Sequence, residues 1–210
     1  MPEEQTEHQV QAFILNKKED YERDLKKSGR DGWKEEIEGL IRLIQDNHDS
    51  IYIRRKEIEG AGIVYAEGKM WKLLQEAKNS YLLGHYYSTI ALSAMAAERI
   101  CYDYIEFSQI QIDGKTLSDK AKEELIYLPL NHLIDFLHEC GIIDDRSKGV
   151  LHYISEVRNK HVHPKMKNDP QKDAIKVLNK LCNVAENLLS MFRFYDIVDG
   201  KFVRKPKPQP

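Results

Sequence analysis

Three polar residues near the start of the last quarter of the chain have the types and spacing that suit chemistry at a phosphate. Arg158 is followed directly by Asn159, and His163 lies five positions after the arginine. Histidine titrates near neutral pH and can therefore move a proton. Arginine stays charged and offers a planar fork of donors to phosphate oxygens. Asn159 can orient either side chain or donate a hydrogen bond to the phosphate.

The asparagine distinguishes this motif from accidental Arg–His pairs. Arg42 with His48, and Arg146 with His152, have a similar spacing, and neither of those arginines is followed by asparagine. The sequence contains no glycine-rich phosphate loop, no HExxH, no GxSxG and no paired-carboxylate motif. The Arg-Asn-x3-His motif is therefore the strongest candidate for a site that carries chemistry.

Two segments together resemble the HEPN superfamily of helical ribonucleases and nucleotide-binding proteins. The first is the motif itself, because four to six residues separate the arginine from the histidine in that family. The second runs from Ala77 to Glu98 and reads AKNSYLLGHYYSTIALSAMAAE, with Gly84, Tyr86 and the acid Glu98 in the corresponding places. The resemblance covers about residues 69–195 and leaves the N-terminal arm outside it.

The resemblance implies a metal-independent endoribonuclease that needs no cofactor. The neighbouring 2′-hydroxyl of RNA attacks the phosphodiester, which leaves a 2′,3′-cyclic phosphate and a 5′-hydroxyl. His163 would be the acid/base, Arg158 the phosphate clamp and Glu98 a supporting acid. Five residues of an ideal helix turn through about 140°, so arginine and histidine do not share one helix face. In HEPN proteins the motifs of two subunits often meet, and a homodimer is therefore implied.

The resemblance also suggests a biological setting and a rival interpretation. A HEPN ribonuclease could act as a toxin, with a separate antitoxin protein as partner, or in defence against foreign nucleic acid. The alternative is a non-catalytic helical dimer that binds nucleotide, RNA or a protein partner. In that case Arg158 and His163 only cap a helix end or pair with carboxylates of a neighbouring helix.

The residues around the motif also have alternative interpretations. Lys160, Lys165 and Lys167, together with His161, are candidates for contacts to the RNA backbone, whereas the simpler interpretation is solubility alone. We expect His161 to be a solvent-exposed neighbour rather than a metal ligand, and we expect no metal site. Four tyrosines are expected in the core rather than as stacking platforms. They are Tyr86, Tyr87, Tyr102 and Tyr104.

Glu98 falls on the apolar stripe of its predicted helix. A buried carboxylate needs a partner, since an unpaired buried charge is costly. Two possibilities are open: a pair with Arg158, which would orient that arginine, or a local pairing elsewhere.

The elements that must position these residues are predicted to be helices, in an all-α HEPN-like helical bundle with an N-terminal helical extension. We predict an extension over 1–62, a HEPN-like domain over 63–198 and a flexible tail over 199–210. The alanine-rich segment 85–107 is expected to be the central helix. Asp113-Gly114 and Asp199-Gly200 mark turns, the first of a small hairpin. Helices are predicted for 3–27, 33–58, 70–81, 85–107, 118–127, 129–140, 146–162 and 170–195.

Composition narrows the class of protein. Of 210 residues, 41% are hydrophobic and 31% are charged, which is typical of a globular chain. No run of eighteen apolar residues and no secretion signal is present, so we expect a cytoplasmic protein without a membrane partner. The three cysteines are expected to be reduced core residues. From Arg158 onward, twelve Lys or Arg face five Asp or Glu, which favours an anionic partner such as nucleic acid.

Overall fold

The chain folds into two compact units of helices, Met1–Ile58 and Glu59–Pro210. The computed structural model describes residues 3–28, 34–59, 68–108, 110–112, 115–162, 169–190, 195–198 and 201–204. Apart from two short hairpins, the described elements are α-helices, which confirms the all-α class. The predicted domain boundary at Gly62 lies outside the described residues.

Within its described residues, the first unit contains three helices. Helix α1 (Glu3–Ser28) packs against α2 (Lys34–Asp46) and α3 (His48–Glu57). Its packing buries one apolar side chain on each helix: Val10, Ile44 and Ile51. Burial of side chains of this size contributes about 1.5–3 kcal/mol each.

A single helix was predicted where the first unit has α2 and α3, and this prediction was wrong at Asn47. Its side-chain Nδ2 donates a hydrogen bond to the carbonyl of Leu43 at 2.7 Å. The backbone amide of Asn47 donates to the same carbonyl at 3.2 Å, so the side chain competes with the helical bond for one acceptor. The helix accordingly ends at Asp46 and a new one begins at His48.

The second unit begins with a helical hairpin, α4 (Lys69–Leu82) and α5 (Tyr86–Phe107). Gly84 connects them with a φ of 80°, in the left-handed region that favours glycine. The amide of His85 donates to the carbonyl of Ser80 at 2.8 Å, and that of Gly84 to Tyr81 at 2.9 Å. This Schellman arrangement satisfies the last carbonyls of α4 and reverses the chain.

Helix α5 is the centre of the second unit, as its alanine-rich sequence predicts. It contacts α4, α7, α8 and α9. Ala94, Ala96 and Ala97 are all buried, and their small side chains let the neighbouring helices approach closely. The prediction of a central helix at this position is confirmed.

The start of α6 and the end of α7 fall where the sequence predicted them, whereas α8 begins one residue earlier than predicted. Ser118 Oγ accepts a hydrogen bond from the amide of Ala121 at 3.3 Å at the start of α6. Asp144 Oδ1 accepts from the amide of Ser147 at 2.8 Å at the start of α8. Gly141, with a φ of 67°, ends α7. The elements are β1 (Gln111–Ile112), β2 (Lys115–Thr116), α6 (Asp119–Leu125), α7 (Leu130–Glu139), α8 (Asp145–Val162) and α9 (Pro170–Ser190).

The C-terminal end differs from the prediction. Helix α9 ends at Ser190, and Tyr195, predicted as its last residue, belongs to strand β3 (Tyr195–Val198). β3 pairs antiparallel with β4 (Lys201–Arg204). Strand β4 lies inside the segment 199–210, which was predicted as a flexible tail. Aromatic and β-branched residues lie on both sides of Asp199-Gly200, and this pattern favours a β-hairpin over a longer helix. Residues 205–210 lie outside the described residues.

The cysteines were expected to be reduced and buried in the core, and two of the three are buried. Cys101 and Cys182 are buried, Cys140 is half-buried, and all three are free thiols. Burial raises the pKa values of the Cys101 and Cys140 thiols above the ordinary value for cysteine. Because the thiolate is the reactive form, Cys101 is an inert apolar group at neutral pH.

Among the residues that the structure describes, no helix is both long enough and apolar enough to cross a membrane.

Candidate functional site at the end of helix α8

The last turns of α8 present the first part of the motif to solvent. Leu151, Ile154 and Val157 are buried and fix the helix against its neighbours. Arg158 and Asn159, which follow directly, are exposed, and so is Lys160. Within the described part of the chain no carboxylate pairs with Arg158.

His161 differs from what we expected of it. Its side chain is only 5% exposed, and its Nε2 lies 2.8 Å from Oδ2 of Asp173 on α9. The ring also meets Tyr87 edge to face, with centroids 5.7 Å apart. The expectation of a solvent-exposed histidine was therefore wrong, because α9 and the ring of Tyr87 cover this position. His161 ties the end of α8 to the beginning of α9.

The contact with Tyr87 also bears on the prediction that four tyrosines lie in the core. Tyr104 is buried, whereas Tyr86 and Tyr102 are half-buried. Tyr87 is 62% exposed even though the edge of its ring contacts His161, so the core prediction was wrong for this residue. Its free ring surface lies beside the motif.

The second half of the motif falls outside the described residues. His163, the predicted acid/base, is not described, and neither are Lys165 and Lys167, which follow the motif and were predicted to contact the RNA backbone. The convergence of Arg158 and His163 on one phosphate therefore stays a prediction. What the structure adds is that α8 leads up to His163 from an end held in place by His161.

Glu98 has a local partner. Its Oε1 accepts a hydrogen bond from the phenol of Tyr102, one turn further along α5, at 2.6 Å. Burial, and then the bond to Glu98, raise the pKa of the Tyr102 phenol, which keeps it a donor. The structure thus shows a local partner for Glu98 and, among the described residues, no pairing with Arg158.

The neighbouring arginine on the same helix, Arg99, pairs with two carboxylates. Arg99 Nη2 lies 2.7 Å from Asp103 and 3.1 Å from Glu106. Asp103 is buried, so this pair holds a charge that would otherwise be costly inside the bundle. Arg99 thus serves the fold of α5, whereas Arg158 pairs with no described carboxylate.

A second group of cations lies on the same pair of helices and was not singled out from the sequence. Lys176 and Lys180 of α9 both place Nζ 5.2 Å from the ring centroid of Tyr153 on α8. Burial, and then the charge of Asp173, raise the pKa of the Tyr153 phenol, so the ring stays neutral. The four-residue spacing of Lys172, Lys176 and Lys180 was the available signal, since such residues share one helix face.

No group of three or more His, Cys, Asp or Glu side chains in the described ranges is arranged to hold a metal ion. The described side chains of the site on α8 are the exposed guanidinium of Arg158, the amide of Asn159 and the ammonium group of Lys160.

Comparisons with protein-family models, with curated proteins and with solved structures found no match. The fold and the site define an all-α protein with a basic surface on its last two long helices.

The His161–Asp173 contact predicts a specific loss of stability. Asp173→Ala leaves a buried imidazole without its partner, which costs about 1–3 kcal/mol of unfolding free energy. The matched control is Asp145→Ala, which removes an equally short contact of 2.8 Å to His138, where the carboxylate side chain is 97% exposed. Exposed pairs are worth about 0–1 kcal/mol.

Urea unfolding followed by circular dichroism measures both variants. Equal losses for Asp173→Ala and Asp145→Ala would show that the burial of His161 adds nothing.

Proposed function

We propose that this protein is a metal-independent endoribonuclease of the HEPN type, acting as a homodimer, with Arg158, Asn159 and His163 at its active site. The observation that carries the proposal is the exposed Arg158–Asn159 pair at the end of α8, in a turn anchored by the buried contact of His161 with Asp173. An arginine that serves only the fold would be expected to meet a carboxylate, as Arg99 does.

The chemistry follows from the residue types. In the cleavage step a bond forms between O2′ and phosphorus while the bond from phosphorus to O5′ breaks. One proton must leave the 2′-hydroxyl and one must reach O5′. His163 transfers protons in this step, because an imidazole binds and releases them near neutral pH.

Arg158 stabilises the transition state rather than moving a proton. Negative charge accumulates on the non-bridging oxygens as phosphorus becomes five-coordinate, and a guanidinium meets two of them with parallel hydrogen bonds. Asn159, exposed beside it, orients the phosphate. A guanidinium unpaired with any described carboxylate gives up no competing ion pair when the phosphate arrives.

The second subunit supplies what one copy lacks. Arginine and histidine five residues apart do not share a helix face, so two motifs brought together by a two-fold axis complete the site. A cytoplasmic toxin or defence nuclease, held in check by an antitoxin partner, is the setting that the family resemblance suggests.

Incubation of the full chain with single-stranded RNA in excess EDTA tests the proposal. We expect cleavage of the RNA and none of a DNA of the same sequence, because the DNA lacks the attacking 2′-hydroxyl. Cleavage of the DNA as well as the RNA would contradict the proposal. So would RNA cleavage that occurs without EDTA and is lost when EDTA is added.

A second function is favoured by the lysine pair on α9. Lys176 and Lys180 lie on Tyr153, not at the motif, and a surface of this kind suits binding of nucleotide, RNA or an acidic protein without cleavage. RNA that is bound but stays intact in the same experiment would select this alternative.

A further inference from the structure

Helix α9 has a row of lysines along one face. Lys172, Lys176 and Lys180 follow one another at four-residue intervals, which on an α-helix is a rise of about 6 Å per step. The first two are exposed and the third is half-buried. We call these three residues the lysine row.

The lysine row is a concentration of charge that the described part of the protein does not neutralise. Like charges four residues apart on a helix repel each other. Lys176 and Lys180 nevertheless approach the same face of α8, each 5.2 Å from the centroid of the Tyr153 ring. Neither makes an ion pair within the described residues, and Asp173, on the same helix, is engaged with His161 at 2.8 Å.

The row has a direction relative to the motif. Tyr153 lies opposite Lys176 and Lys180, and His161, later on α8, lies opposite Asp173, earlier on α9. The two helices are therefore antiparallel, and the row runs from the motif end of α8 back towards its beginning.

The row ends in a cleft. Lys180 also lines a cavity of about 320 Å³ at the start of α8, together with Arg146, Ser147 and Asn183. Asp145 lines it as well, but that carboxylate lies 2.8 Å from His138 Nε2. The cleft thus combines two cations with an amide and a hydroxyl, which are donors that suit phosphate oxygens.

We infer that the lysine row binds the sugar-phosphate backbone of a single-stranded RNA substrate along α9, between the motif and the cleft beside Lys180. This inference rests on the proposed function for the identity of the polyanion. A repeating anion matches a repeating row of cations on a rigid helix, and a single strand can adopt the in-line geometry that attack by the 2′-hydroxyl requires. Contacts of this kind hold RNA without reading its sequence.

The test is the salt dependence of binding. A fluorescent single-stranded RNA is titrated with the full chain carrying His163→Ala, in EDTA, at salt concentrations from about 50 to about 300 mM, a range over which such binding weakens steeply. Adding Lys176→Gln and Lys180→Gln lowers the slope of log Kd against log salt by about 1.4, since each lost phosphate contact removes about 0.7 for a single strand.

The matched control replaces two exposed lysines of the same unit that belong to neither α8 nor α9. Lys69 on α4 and Lys120 on α6 are both exposed, and Lys69→Gln with Lys120→Gln should leave the slope close to that of the parent. Equal changes in the two double variants, no change in either, or no RNA binding by the parent would overturn the inference. A duplex RNA bound as tightly, with the same dependence on the row, would overturn the single-strand assignment.

The outcome separates the inference from the proposed function. If RNA binding depends on the lysine row but the wild-type chain leaves RNA intact, the inferred role of the row is supported and the proposed ribonuclease activity is contradicted. If the wild-type chain cleaves RNA but its RNA binding does not depend on the lysine row, the proposed ribonuclease activity is supported and the inferred role of the row is contradicted.

Discussion

Arg158→Ala lowers the rate of RNA cleavage about a hundredfold or more, because loss of one preorganised donor to a developing oxyanion typically costs about 10²–10³. The side chain is exposed at the end of α8 and makes no ion pair among the described residues. Its removal therefore leaves the packing of Leu151, Ile154 and Val157 unchanged, and the variant should unfold at the same temperature as the wild type.

A single-turnover cleavage assay with excess enzyme measures this effect apart from RNA binding. Arg42→Ala is the matched control: its side chain is 73% exposed in the first unit and meets Glu38 only at 3.7 Å. Arg158→Lys keeps the charge and loses the planar fork, so its rate should fall between those of the wild type and Arg158→Ala. A wild-type rate in Arg158→Ala would remove Arg158 from the site.

His163→Ala has an effect of the same order or larger. Loss of a general acid or base costs about 10²–10⁴ in rate, and no other side chain titrates unaided in the same range. Added imidazole should restore part of the activity, since it can occupy the space left by the side chain and transfer the proton. Restoration of this kind is not expected from a residue that only supports the fold.

The control for this variant is His132→Ala, an exposed histidine on α7 in the same unit. We expect it to cleave at the wild-type rate. If His132→Ala and His163→Ala were equally impaired, the loss would reflect a general disturbance of the second unit, and His163 would have no special role.

Much of the fold could be predicted because its signals are local. Gly84 and Gly141 end helices where the left-handed conformation is needed, and Ser118 begins one by accepting an amide hydrogen. The alanines of α5 predicted a central helix because their small side chains let neighbouring helices approach closely. The hairpin after α9 was missed because the apolar pattern of a helix was extended into residues that alternate as a strand does.

The surroundings of the motif could be predicted less well, because they depend on contacts between distant segments. The burial of His161 comes from Asp173 and Tyr87, and nothing in the sequence around His161 reveals it. The partner of Glu98 could not be chosen from the sequence, since a local pairing and a pair with Arg158 were both open. The grouping of Lys176 and Lys180 on Tyr153 required knowledge of how α8 packs against α9.

The chemical nature of the product ends tests the central claim most directly. RNA cut by the wild-type chain in EDTA should carry 2′,3′-cyclic phosphate on one fragment and a 5′-hydroxyl on the other, as mass spectrometry of a short defined RNA will detect. Fragments with 5′-phosphate ends would mean that water or another external nucleophile had attacked the phosphate, and they would contradict cleavage through the 2′-hydroxyl by Arg158 and His163.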